Sequence, residues 1–96
     1  MSPDKLKKLL KLRESLDKLD NSFIKLVKKR TELVKKVLKL KEYKNQIVDK
    51  KRIKMILNQI RKKSIKNNID PKITNKIWLN MIKAYIEYEK RNFRRK

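Results

Sequence analysis

The chain has 96 residues, enough for one small domain, with 31 basic and 10 acidic side chains and a formal net charge of +21. It contains no Gly, Cys or His, which excludes a Gly-rich phosphate loop, a disulfide framework, a thiol nucleophile, a His-based triad and a His-ligated metal. Its apolar runs are too short to span a membrane, and residues 1–13 lack the apolar stretch of a signal peptide, so a cytoplasmic location is expected.

Ser2-Pro3-Asp4 predicts a helix start, with Ser as N-cap, Pro at the first helical position and an acid in the first turn. No breaker follows until Lys44-Asn45-Gln46, so the helix is expected over residues 3–44. Leu9, Leu12, Leu16, Leu19, Phe23, Leu26, Leu33, Val37 and Leu40 advance by alternating steps of three and four, with one place skipped. That is a heptad seam. A helix of about 40 residues is about 60 Å long, whereas a compact domain of this size is only about 30–35 Å across. The seam therefore needs cover from outside the chain, and a second copy is the simplest source.

Asp49 predicts the cap of a second helix over residues 49–67, with Ile53, Ile56, Leu57 and Ile60 on its apolar face and fraying at Asn67-Asn68. Asp70-Pro71 predicts a third over residues 71–93, with a stripe of Ile73, Ile77, Met81, Ile82, Tyr85 and Tyr88. The tail over residues 91–96 is basic and expected to be loose. No segment alternates with strand period. The expected fold is all-α, one domain of three helices with the first very long, forming an intertwined helical homodimer.

Three charges sit where apolar residues are expected. Arg30 occupies the skipped seam position. Lys41 lies eleven residues on, about 20° beyond whole turns and about 16 Å along the axis, so the two would point the same way and can grip one small anion. Unpaired buried cations are costly, which calls for an acidic partner or a ligand. The alternatives are a register-setting arginine in a coiled seam and a lysine snorkelling at a helix end. Glu89 follows Tyr85 by four and Ile82 by seven, on or beside the apolar face of the third helix. A carboxyl there is paired with a core cation, held neutral as a hydrogen-bond donor, or simply solvated near the helix end.

The string Leu12-Arg13-Glu14-Ser15-Leu16-Asp17-Lys18-Leu19-Asp20, followed by Arg30, Lys41, Asp49, Arg52 and Glu89 at these spacings, resembles the all-helical chorismate mutase family, type II. The resemblance covers about residues 9–93, nearly the whole chain. It implies an intertwined homodimer in which the long first helices cross between protomers, in agreement with the uncovered seam. It implies the Claisen rearrangement of chorismate, a small dianion, to prephenate in aromatic amino-acid biosynthesis, with no cofactor, metal or covalent intermediate. By the same resemblance Arg30 binds one substrate carboxylate, and Arg13 binds the other in the neighbouring protomer's site. Lys41 donates to the ether oxygen and a carboxylate. Asp49, chiefly through its backbone, and Arg52 close the site, and Glu89 stands where the family places Gln or Glu against the ether oxygen.

Two positions depart from the family pattern. Ile53 replaces a frequent Glu that accepts from the ring hydroxyl, and Tyr85 replaces a frequent Ser. The related isochorismate pyruvate lyases, which form salicylate, share the fold and the cationic grip and also place an apolar residue after the second-helix arginine. They are the second candidate activity. A different class, a small basic nucleic-acid-binding protein, accounts for the charge. It does not account for Arg30 in the seam or Glu89 on an apolar face. Lys far outnumbers Arg, and Arg forks and aromatic platforms do not cluster, as base readers require. A membrane-surface helix would carry its cations on the polar side. The charge is therefore expected to coat a solvated surface.

Overall fold

The structure, a computed structural model, describes residues 1–94. Three α-helices carry the chain: α1 over Pro3–Leu40, α2 over Lys50–Lys66 and α3 over Pro71–Asn92, with a single 3-10 turn over Lys44–Gln46. No strand occurs among the described residues. The chain divides into two compact units, Met1–Leu33 and Val34 onward.

The first unit is most of α1. Ser2 Oγ accepts from the Lys5 amide at 3.3 Å and the Ser2 carbonyl from the Leu6 amide at 2.9 Å, so the predicted cap forms. Asp4 lies in the first turn, at the positive end of the helix dipole. Leu12, Leu16, Leu19, Phe23 and Leu26 are 57–63% exposed. Among the described residues that part of the seam is exposed.

The second unit holds the end of α1, the 3-10 turn, α2 and α3. The predicted first helix ran to residue 44, but α1 stops at Leu40. There the Lys41 amide donates to the Leu38 carbonyl at 3.1 Å. The next two amides, of Glu42 and Tyr43, leave the helical ladder for the side-chain carbonyl of Gln46, at 2.8 and 2.9 Å. Ile47, only 4% exposed, then anchors the chain. The helix ends through side-chain competition for backbone donors and through that buried anchor, with no Gly or Pro to announce it.

Leu38 and Ile47 are the buried apolar residues, and Val34 is half-buried. Ile53, Ile56, Leu57 and Ile60 of α2 are half-buried, the face the pattern predicts. The α3 stripe needs a correction. Ile73 and Ile77 are exposed, whereas Thr74 is buried and Trp78, Met81, Ile82, Tyr85 and Tyr88 are partly covered. The first turns of α3 present Thr74 inward because Ser64 of α2 meets it there. The two hydroxyl oxygens are 2.6 Å apart, and Ser64 Oγ is also 2.6 Å from the Ile60 carbonyl. Two buried hydroxyls thus satisfy each other.

Both helices are capped as predicted. Asp49 Oδ1 accepts from the Arg52 amide at 3.0 Å, and Asp70 Oδ1 from the Lys72 amide at 2.9 Å, with Pro71 at the start of α3. The expected fraying at Asn67-Asn68 is instead an ordered stop. Asn68 takes φ 57°, its amide reaches the Ile65 carbonyl at 3.2 Å, and the Ile69 amide reaches the Ser64 carbonyl at 2.9 Å. This is a Schellman motif with Asn in the left-handed position. Of the tail expected to be loose, Arg91 and Asn92 belong to α3 and Phe93 is its C-cap. Arg95 and Lys96 lie outside the described residues.

Candidate active site

Glu89, near the end of α3, is 7% exposed. Its Oε2 accepts a hydrogen bond from Lys41 Nζ at 2.7 Å. Of the states open to an apolar-face carboxyl, the structure holds the one paired with a core cation. Both groups are partly or fully withdrawn from water, and their contact satisfies a charge that burial would otherwise penalise. Lys41 reaches Glu89 from the first position beyond α1.

Lys41 and Asp49 line one open depression together with Val37, Leu40, Asn45, Gln46, Val48 and Lys50. Asp49 spends its side chain on capping α2 through the Arg52 amide, and the Ile53 amide bonds to its carbonyl at 3.0 Å. Arg52 is exposed, its Nη1 lying 3.7 Å from Met55 Sδ. Ile53 is half-buried, and Tyr85, also half-buried, sits one turn before Glu89 on α3. The second unit thus carries Lys41, Asp49, Arg52, Ile53, Tyr85 and Glu89.

Arg13 and Arg30 belong to the first unit, and both are exposed. Arg30 was expected to be drawn into a covered seam. In the single chain it stands in solvent with its seam neighbours Leu26 and Leu33, each 61% exposed. Seventeen residues separate Arg13 from Arg30 on one helix, or about 25 Å along its axis. No small ligand touches both within one chain.

Residues 12–90 match the family model for chorismate mutase type II. The chain belongs to the chorismate mutase type II family. No curated protein and no solved structure matches it. The match begins in α1 before Arg13 and ends in α3 just past Glu89, so it takes in the whole chorismate mutase-like series from Arg13 to Glu89. Among the described residues no helix is long and apolar enough to cross a membrane.

One residue that motif reasoning passed over is Gln46, which holds the turn that follows Lys41. Its only sequence signal is its place three residues after Tyr43, the spacing of a capping box.

Proposed function

We propose that the chain is a chorismate mutase, an isomerase that converts chorismate to prephenate in the cytoplasm, within aromatic amino-acid biosynthesis, and works as an intertwined homodimer. The observation that carries this reading is the part-buried Lys41–Glu89 pair at 2.7 Å in a chain whose residues 12–90 match the chorismate mutase family.

The chemistry suits the residues present. In the rearrangement the ether C–O bond breaks as a new C–C bond forms, through one cyclic transition state. No proton is gained or lost and no nucleophile is required. What a protein contributes is the reactive chair-like conformer and stabilisation of the charge that grows on the ether oxygen. The Lys41 ammonium has more N–H donors than Glu89 occupies, which leaves it able to meet the ether oxygen and a carboxylate. Arg30 binds one carboxylate of the dianion, and Arg13 of one protomer binds the other in its partner's site. That division agrees with the separation of the two arginines along α1. Asp49, through its backbone, and Arg52 close the ring side. Glu89 orients Lys41 and faces the ether oxygen. The reaction needs no cofactor.

A second activity, isochorismate pyruvate lyase, is favoured by one observation: half-buried Ile53 follows Arg52 where a carboxylate would accept from the ring hydroxyl. Offering chorismate and isochorismate separately distinguishes them. Prephenate from chorismate is the expected result. Salicylate and pyruvate from isochorismate, with no prephenate from chorismate, would transfer the assignment to the lyase, and turnover of neither would remove both.

A further inference from the structure

We infer that Gln46 is a positioning residue for Lys41, setting where its ammonium stands through the backbone; this rests on the mutase reading above. Lys41 is followed by a segment with no regular helix or strand to hold it. On its N-terminal side its backbone is tied to α1 by the bond from its amide to the Leu38 carbonyl, 3.1 Å. On its C-terminal side the next two amides, Glu42 and Tyr43, both converge on Gln46 Oε1, at 2.8 and 2.9 Å. One side-chain carbonyl uses both of its lone pairs to fix the peptide units directly after Lys41.

Gln46 is in turn anchored. Its own amide donates to the Tyr43 carbonyl at 3.0 Å, and the next amide, of Ile47, donates to the Lys44 carbonyl at 3.2 Å. Ile47 is one of the most buried residues of the chain, at 4% exposure. The interior therefore holds Ile47, the 3-10 turn holds Gln46, and Gln46 holds the backbone that carries Lys41. At its tip Lys41 meets Glu89, which lies on a different helix. Without Gln46 the ammonium loses the backbone restraint that fixes its approach to Glu89. Displacing a reacting group by about 1 Å is enough to cost a hundredfold in rate.

The test compares Gln46→Ala, which removes the acceptor, with Gln46→Glu, which keeps an sp² oxygen in its place. Helix content, kcat, KM, hydrogen exchange at the Glu42 and Tyr43 amides and exchange of the Lys41 ammonium protons are read for each. In Gln46→Ala, kcat should fall between about tenfold and a hundredfold with a smaller change in KM and unchanged helix content. The two amides and the ammonium should lose protection. Gln46→Glu should restore both rate and protection. Wild-type kcat in Gln46→Ala despite unprotected amides would overturn the inference, as would unaltered protection of the amides. If the wild type turns over neither chorismate nor isochorismate, the mutase reading fails by itself. The clamp is then decided by the amides and the Lys41 ammonium: loss of protection at all three sites in Gln46→Ala keeps it, and an unchanged ammonium discards it.

Discussion

Glu89 is asked to do two things that pull in opposite directions. As a carboxylate it accepts from Lys41 at 2.7 Å, and an ionised carboxylate cannot donate to an ether oxygen. Glu89→Gln keeps a side chain of similar shape that can donate. It should remain active on chorismate, while Glu89→Ala is severely impaired. Equal loss in both variants would mean that the carboxylate is needed to hold Lys41. Stability gives a separate view of the same pair. Lys41→Met strands a carboxyl that is 7% exposed, and breaking a buried pair from one side costs up to about 3–5 kcal/mol. Urea unfolding at one fixed protein concentration should show that loss. Adding Glu89→Leu should recover most of it, because removing both charges leaves no buried ion. No recovery in the double variant would mean that packing, and not charge, dominates at this position.

At the level of the elements, the starts of α2 and α3 were legible because short polar side chains announce them. Asp49 and Asp70-Pro71 cap in the structure as their chemistry requires. The end of α1 was not legible, since its stop depends on a side chain six residues downstream and on the burial of Ile47. The family resemblance put Lys41 and Glu89 at one ether oxygen, but no pattern in the residues showed that the two pair directly. Thr74 was passed over because a hydroxyl does not count toward an apolar stripe, and only its contact with Ser64 makes it an interior residue. The stop of α2 offers a clean test of backbone chemistry. Asn68 at φ 57° is in the left-handed region, where a β-branched side chain costs about 1–2 kcal/mol. Asn68→Val should lower the unfolding free energy by about that amount, and Asn68→Gly should be neutral or slightly stabilising. A Val variant as stable as the wild type would mean that the motif does not persist in solution.

For the whole molecule the decisive fact is the bare seam. Leu12, Leu16, Leu19, Phe23 and Leu26 expose more than half of their surface in the single chain, and covering each is worth about 1.5 kcal/mol or more. Sedimentation at micromolar protein should therefore give twice 11.8 kDa, and a stable, fully active monomer would defeat the intertwined architecture. The net charge of +21 belongs to this scale too. Steering of a dianion by a broad positive field weakens as salt shortens its reach. Apparent substrate affinity should fall moderately with salt, and tight duplex-DNA binding at physiological salt would revive the nucleic-acid reading. The proposed dimer makes a sharper demand. Arg13 and Arg30 stand about 25 Å apart along α1, so a ligand that needs both must take them from different chains. Arg13→Ala and Arg30→Ala should each be nearly inactive as homodimers. Refolded together, the two variants form mixed dimers with one damaged and one intact site. The intact site takes wild-type Arg30 from the Arg13→Ala chain and wild-type Arg13 from the Arg30→Ala chain. Random pairing makes half of the dimers mixed, each with one working site of two, so about a quarter of wild-type activity should return. A verified heterodimer with no recovered activity would mean that the two arginines do not serve one site across the interface.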